Sequence, residues 1–370
     1  MRWEAQKLEG DEDVTAPGLL RLSSVVRSVR TPEFEQMTFH EVLAKSALNH
    51  VPLSSRMLPG AWTINPYRGC SHACLYCYAR ATHRYLDLNT GADFDSQIVV
   101  KINVAEVLAH ELATKKVLPE QVALGTNTDP YQRAEGRYRL MPGIIEAFAA
   151  HRVPFSILTK GTLLRRDLPL LESVHQTQPV SLAMSIAIFD DELQQSLEPG
   201  TPTTAARLAT VRMVRDLGMD CSVFLAPVIP GLTDSTEHLD RALGLIKEAG
   251  ATSVLYTPLR LGPDVKEWFL AWLERERPAL LPRYRELYVR GSSAEEGYRR
   301  QLDARMTVLR RRHGLQDRSM GGTERPAADR FSLRRFGPRG PRSEGTGAGD
   351  AGAPAPRGLV SNPAEQPELF

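Results

Sequence analysis

From residue 60 onward, two kinds of apolar run alternate along the chain. Short β-branched and apolar stretches, which read as strands, each lead through a polar or glycine-bearing loop into a longer stretch whose apolar residues recur at helical spacing. The strands fall at residues 62–65, 122–126, 155–159, 180–188, 222–227 and 253–257. The helices fall at 141–151, 165–174, 203–217, 235–249 and 264–275, with an earlier one starting near Tyr78. Gly218 and Gly250 stand where two of these helices should stop, because glycine takes the left-handed C-cap conformation without strain. Strands joined by crossover helices give a parallel sheet, and right-handed crossovers curl it. The expected fold is therefore α/β, a partial (β/α)6 TIM-type barrel whose site lies at the C-terminal ends of the strands.

The flanks break this rhythm. Residues 1–59 show no repeat and are expected to form an N-terminal extension packed on the barrel. Residues 60–315 read as the barrel with a C-terminal helical segment, and 316–370 as a disordered basic tail. Within that tail, GPRGPRSEGTGAGDAGAPAPRG has too few large apolar residues to offset the entropy of ordering the chain. The rest is ordinary in make-up: the 370 residues are 42% hydrophobic and 24% charged. No stretch approaches the ~20 apolar residues of a membrane span, and MRWEAQKLEGDEDV lacks an apolar signal region, so a cytoplasmic protein with no membrane partner is expected.

Candidate chemistry is concentrated in NPYRGCSHACLYCYAR, which carries three of the chain's 4 cysteines, Cys70, Cys74 and Cys77. Structural zinc and ferredoxin-type clusters ask for four ligands. The remaining thiol, Cys221, lies far along the chain in the apolar run DCSVFLAPV and reads as a small buried hydrophobe. Three cysteinates on a cubane leave a fourth iron open to a small molecule, as catalytic metal sites keep one open position. Two other readings stand beside this one, a zinc knuckle that recruits His72 and three unrelated thiols. His72 is two residues from both Cys70 and Cys74, which would cramp a tetrahedral site. A cluster of this kind must be kept reduced, so disulfides are not expected.

The CxxxCxxC spacing, with Tyr76 just before its last cysteine, resembles the signature of the radical S-adenosylmethionine (radical SAM) superfamily. The resemblance implies a [4Fe-4S] cluster on Cys70, Cys74 and Cys77. Its open iron is chelated by the amino and carboxylate groups of S-adenosylmethionine, and an electron from a flavodoxin- or ferredoxin-type donor cleaves the sulfonium to a 5'-deoxyadenosyl radical. Four further segments lie at predicted strand ends, GTNTDPY, ILTKG, AMSIA and APVIPG. Together with ELQQSLEPGTP they resemble the spore photoproduct lyase family and a set of uncharacterised bacterial radical SAM proteins. That likeness implies that Lys160 and Ser185 contact the methionyl part of the cofactor and that Ala226 and Pro227 border its adenosyl group. Tyr76 and Thr128 are further cofactor-binding candidates, and Tyr78 matches a tyrosine on the family's hydrogen-transfer route. No role follows for the turn Glu198, Pro199 and Gly200. The family's hydrogen-donating cysteine has no counterpart in residues 125–136.

Charge then suggests partners. Residues 283–342 hold sixteen arginines, no lysine and seven acidic residues, a bias that favours phosphate contact, and Phe331 and Phe336 could stack on a single strand. The chain ends QPELF, which resembles the short peptide with which bacterial replication and repair proteins bind the sliding clamp, through Gln366, Leu369 and Phe370. The expected function is a radical SAM lyase-like enzyme acting on a DNA lesion. Modification of RNA or a peptide, and a non-enzymatic, metal-stabilised clamp adaptor, are the alternatives.

Overall fold

The computed structural model describes residues 25–53 and 60–315. The strands are β1 (Val25–Val29), β2 (Thr38–Val42), β3 (Leu48–His50), β4 (Trp62–Ile64), β5 (Tyr67–Arg68), β6 (Gln97–Lys101), β7 (Val122–Leu124), β8 (Phe155–Thr159), β9 (Val180–Ser185), β10 (Cys221–Val228) and β11 (Ser253–Pro258). The helices are α1 (Ala92–Ser96), α2 (Val104–Thr114), α3 (Arg133–Tyr138), α4 (Leu140–His151), α5 (Leu168–His175), α6 (Asp191–Leu197), α7 (Thr204–Asp216), α8 (Thr236–Glu248), α9 (Pro263–Glu276), α10 (Leu281–Leu287) and α11 (Glu296–Arg312). The main sheet runs β11-β10-β9-β8-β7-β4-β3, parallel from β4 to β11, which is the six-unit partial barrel expected.

Strand register sorts the barrel residues into two faces. Thr63, Ala123, Ser156 and Ser181 lie level across β4, β7, β8 and β9, and Ala183 pairs with Ser222 one level higher. Alternating with these small and polar residues are Val122, Leu124, Phe155, Ile157, Leu182, Met184, Val223 and Leu225, all buried. The apolar set packs beneath the helices and carries most of the cohesion, each full burial of such a side chain contributing about 1.5–3 kcal/mol. The inner face mixes these small and polar residues with Leu158 and Phe224, which share their register.

The structure departs from the expected elements in four places, each for a local reason. The helix expected to begin near Tyr78 is a 3-10 helix, Tyr78–Leu86. The helix expected at 165–174 opens as a 3-10 turn, Thr162–Asp167, and becomes α-helical only at Leu168, where Pro169 sits in the first turn and needs no N–H partner. The second strand stops at Leu124 because Gly125 turns to φ +86 where a Cβ would overlap the Leu158 carbonyl oxygen. Residues 25–53 are more ordered than the sequence suggested: β3 adds an antiparallel edge to the barrel, while β1 and β2 join β6 and β5 in a second sheet, β1-β2-β6-β5. The expectations for residues 1–24 and for the tail 316–370, including the clamp peptide, lie outside the described residues.

After the barrel, α9 to α11 hold the loops at its mouth. The Tyr284 hydroxyl donates to the Pro230 carbonyl and the Tyr288 hydroxyl to the Leu259 carbonyl, each at 2.8 Å, fixing the chain beyond β10 and β11. At the opposite edge His83, fully buried, makes a 3.1 Å contact from Nε2 to the Gln97 carbonyl and packs edge-on against Phe94. Burial disfavours the imidazolium and outweighs the Gln97 carbonyl, lowering the His83 pKa to about 4. The unfolded chain therefore takes up this proton first, and stability is lost as the pH falls from ~6.5 towards 4, by up to roughly 3 kcal/mol. Urea denaturation of the metal-free protein should show a smaller loss between pH 7 and 4.5 for His83→Gln than for the parent; equal losses would refute this assignment.

Candidate active site

The segment between β5 and the 3-10 helix carries the cysteines and has almost no secondary structure of its own, so neighbouring segments satisfy its backbone. The Cys70 N–H donates to the Phe94 carbonyl at 2.9 Å. Gln132 brackets the next stretch, its Nε2 donating to the Gly69 carbonyl at 3.0 Å and its Oε1 accepting from the Ser71 N–H at 2.9 Å. The Thr128 hydroxyl also donates to the Gly69 carbonyl, at 2.7 Å, so this cofactor-binding candidate supports the loop. On the other side the Leu75 N–H donates to the Leu197 carbonyl at 3.0 Å and the Gly200 N–H to the His72 carbonyl at 3.1 Å. The Glu198-Pro199-Gly200 turn, which had no assigned role, is thus a clamp on the cysteine loop.

Arg80 closes the far end. Its side chain is fully buried, donating to the Cys74 carbonyl at 3.0 Å and the Gly91 carbonyl at 2.7 Å, pairing with Asp95 at 2.8 Å and lying over the rings of Phe94 and Trp268. Removing a guanidinium that meets five groups at once would unseat the loop. An arginine in CYAR reads as a solvated surface residue, which is why the sequence reading passed over it.

Cys70 and Cys74 are buried and Cys77 half-buried, and none is in a disulfide. Burial pushes all three thiols up. A buried thiol ionises when a metal replaces its proton, and a set of three soft sulfur donors with no hard oxygen ligand suits iron-sulfur ligation. His72 is not part of that donor set. Its Nδ1 meets the Gly200 carbonyl at 3.1 Å and its Nε2 lies 3.3 Å from Asp129 Oδ2, a charge contact without the alignment of a hydrogen bond. His72 Nδ1 is thus engaged by the turn at Gly200, while Nε2 is left without a hydrogen bond. No three His, Cys, Asp or Glu side chains among the described residues converge on one ion. A cubane asks instead for one thiolate per iron.

Beside the loop, at the ends of β8 and β9, Lys160, Ser185 and Tyr76 come together. Lys160 Nζ donates to Ser185 Oγ at 3.1 Å, to Tyr76 Oη at 3.2 Å and to Glu198 Oε1 at 2.8 Å. The Tyr76 hydroxyl donates to the same Glu198 oxygen. Glu198 Oε2 pairs with Arg207 at 2.8 Å, and Arg207 Nη1 donates to the Ser185 carbonyl at 3.0 Å. Burial would push the Glu198 carboxyl up, but Arg207 and Lys160 outweigh it and hold it at about 2. Just below, Asp129 accepts from the Lys160 N–H at 2.6 Å and from the Thr159 hydroxyl, fixing the backbone that presents the lysine. Burial raises the Asp129 carboxyl less than His72 and these donors lower it, so it stays below its ordinary range.

The other candidates stand apart from this group. Tyr78 is 46% exposed with its hydroxyl tied to the Thr126 carbonyl. Ala226 and Pro227, joined by a cis peptide, follow Phe224, the residue that pairs with Ser185. Cys221 is buried in the core at the start of β10, and burial raises its thiol to about 12. Glu198, Arg207, Asp129 and Gln132 received no role from the sequence. Asp129 and Glu198 did lie in the segments GTNTDPY and ELQQSLEPGTP singled out above, whereas Arg207, in the first turn of α7, carried no signal.

Comparison with known proteins gives the family. Residues 64–243 match the family model described as the radical SAM superfamily. The chain belongs to the radical SAM superfamily. Uncharacterised proteins of Mycobacterium tuberculosis and Mycobacterium bovis are each 55% identical to it over 331 residues, 88% of this chain and 95% of theirs. An uncharacterised protein of Methanocaldococcus jannaschii is 28% identical over 184 residues, 50% of this chain and 66% of that one. Spore photoproduct lyase, solved with a dinucleoside spore photoproduct, superposes with TM-score 0.55 at 16% identity over 74% of this chain and 79% of its own. A variant of it carries bound AdoMet and superposes with TM-score 0.56 at 15% identity. At such identities the likeness is one of fold. As a radical SAM enzyme the protein is expected to use S-adenosylmethionine and an iron-sulfur cluster. No helix among the described residues is long and apolar enough to cross a membrane.

The clamp is sterically strict. A Cβ on Gly200 would overlap the Ser71 carbonyl oxygen, backbone that cannot yield without moving the cysteine loop. Gly200→Ala should lose most of the iron that the parent retains after anaerobic reconstitution. Gly218→Ala, at φ +76 with nothing nearby, should keep its iron at a cost of about 1 kcal/mol in stability. Equal iron contents would show that the turn does not seat the loop.

Proposed function

We propose that this radical SAM enzyme cleaves S-adenosylmethionine reductively on a [4Fe-4S] cluster and acts on a nucleic acid, a damaged base in DNA being the favoured substrate. Cys70, Cys74 and Cys77 would hold the cluster, and Lys160, Ser185 and Tyr76 would orient the cofactor. Cluster and cofactor, when bound, supply a one-electron cleavage of the sulfonium that gives methionine and a hydrogen-abstracting 5'-deoxyadenosyl group.

The observation that carries this reading is the Lys160, Ser185 and Tyr76 convergence next to the three thiols. Lys160 and Arg207 enclose the single carboxylate of Glu198, so the group carries one excess positive charge in a largely desolvated place. Such a place favours a carboxylate ligand, because a charge-assisted hydrogen bond strengthens where water is excluded. Tyr76, buried with its hydroxyl held by Glu198, presents a ring fixed in position beside the cysteines.

Support for a nucleic-acid substrate comes from the surface beyond the barrel. Residues 283–315 hold nine arginines against four acidic residues. Arg285, Arg290, Arg300, Arg311 and Arg312 are exposed there on or beside α10 and α11. Guanidinium groups grip phosphates in pairs of hydrogen bonds, which suits a polyanion. An electron donor of the flavodoxin or ferredoxin type completes the reaction, and the clamp peptide at Gln366, Leu369 and Phe370 would bring the enzyme to replicating or repaired DNA.

Two measurements test this. Reduced, reconstituted protein should release 5'-deoxyadenosine from S-adenosylmethionine, and Cys74→Ala should abolish that release while keeping the parent's far-ultraviolet circular dichroism. Release by the variant would remove the cysteine loop from the chemistry. Incubation with deuterated DNA, RNA and peptide pools should then place deuterium in 5'-deoxyadenosine from damaged DNA; label from the peptide pool alone would overturn the nucleic-acid reading.

A further inference from the structure

Lys160 is presented by a closed ring of contacts. Its ammonium meets Glu198 Oε1 and Ser185 Oγ; Glu198 Oε2 meets Arg207; Arg207 returns to the backbone carbonyl of Ser185. Tyr76 Oη takes the ammonium's third contact and donates to Glu198. An ammonium has three donors and all three are engaged here, so a ligand carboxylate would take the place of one of the two neutral contacts, Ser185 or Tyr76. Thr201 adds a 3.3 Å contact from its hydroxyl to Glu198 Oε2, so the carboxylate is oriented at both oxygens. Neither Glu198 nor Arg207 has any exposed side chain, whereas Lys160 is 13% exposed. Of the three charged groups in the ring, the lysine is the one open to an incoming molecule.

We propose that Glu198 is a positioning residue for cofactor binding: it holds the Lys160 ammonium in place for the carboxylate of S-adenosylmethionine and ties that pocket to the cysteine loop. The inference rests on the cofactor reading given above and adds to it the residue that enforces the geometry. Glu198 belongs to the same turn that grips the loop, with the Leu197 carbonyl on the Leu75 N–H and Gly200 on both the carbonyl and the ring of His72. Placement of the lysine and placement of the cysteines therefore share one short segment.

Two effects oppose each other when this carboxylate is neutralised. Removing an anion that competes for Lys160 would by itself strengthen the pull on a ligand carboxylate. Against that, Arg207 would be left as a buried cation without its anion, and Lys160 would face it with nothing between them. Breaking a buried pair by removing one partner is strongly unfavourable, and an exposed route lets the lysine swing towards water instead. The second effect is the larger, so Glu198→Gln is expected to bind the cofactor more weakly although its pocket is more positive.

The test is equilibrium binding to anaerobically reconstituted protein, with iron content and melting temperature recorded for each variant. Glu198→Gln should bind S-adenosylmethionine about tenfold more weakly than the parent. It should bind 5'-methylthioadenosine, which lacks the amino acid part, as the parent does. Lys160→Met should lose the same selectivity, and the double variant should lose no more than Lys160→Met alone, since residues acting through one contact are not additive. Should Glu198→Gln prove insoluble, Glu198→Asp keeps Arg207 paired but withdraws the carboxylate by one methylene, and the same selective loss is expected at smaller size. Unchanged or tighter binding of S-adenosylmethionine overturns the proposal. So does an equal loss for both ligands, which would mean general damage to the pocket. If the parent itself binds no S-adenosylmethionine, the cofactor reading and this inference fall together.

Discussion

The cysteine loop, residues 69–77, is neither helix nor strand, so its peptide groups must be satisfied from outside. That constraint organises everything around residues 69–77. A buried, unpaired N–H or C=O costs about as much as a lost hydrogen bond. Each neighbour that meets one therefore holds a piece of the loop in place: Phe94 from α1, Gln132 from the chain beyond β7, Leu197 from the end of α6, Gly200 from the turn that follows it, and Arg80 from the loop's own continuation. These partners come from segments far apart in sequence. The six-stranded barrel brings them to one end, which is how a fold with few catalytic side chains of its own can fix the geometry of a cluster.

The same economy shows in the buried carboxylates. Glu135 and Glu198 are both fully buried, and burial pushes each carboxyl up. Glu135 accepts from the Tyr67 hydroxyl, from two backbone N–H groups that open α4 and from Arg166, and its pKa still ends above the ordinary range. Neutral donors and one partly exposed guanidinium do not outweigh its desolvation. Glu198 has two cations against it, one with no exposure at all, and ends at about 2. Glu135 ties β5 to the start of α4, a structural task for which a neutral or charged carboxyl serves equally. Glu198 has to remain an anion, because two buried cations depend on it.

Most of the barrel was legible in the sequence because its strands and helices alternate with regular spacing, and the cysteine loop because its residue types are rare at that spacing. The strand at 155–159 is observed with those bounds, and four of the expected helices appear within about two residues of their ends. The second sheet was missed because its strands show no clean alternation: all five residues of β2 are buried, the polar Thr38, His40 and Glu41 included, and β5 is only Tyr67–Arg68. The ring partners were missed for another reason. Arg207 lies in a helix whose mean character is polar, where an arginine normally points to water, and only the tertiary fold turns it inward onto Glu198 and Ser185. Hydrophobic periodicity reports which face is buried; it is silent on a charged residue placed on that face to meet another.

The fourth cysteine separates likeness of fold from likeness of reaction. The resemblance to the spore photoproduct lyase family implies a thiol that returns a hydrogen atom to the product, and three of this chain's 4 cysteines are committed to the loop. Cys221 pairs with Leu182 at the N-terminal end of β10, in register with Val223 and Leu225 on the face packed under the helices. It is therefore at the wrong end of the strand and on the wrong face to meet anything bound beside Lys160. Tyr78, which follows Cys77 directly, is half exposed, with its hydroxyl on the Thr126 carbonyl just beyond β7. The barrel fold is shared with the lyase, whereas the thiol that the family resemblance implies has no counterpart at this barrel's mouth outside the cysteine loop.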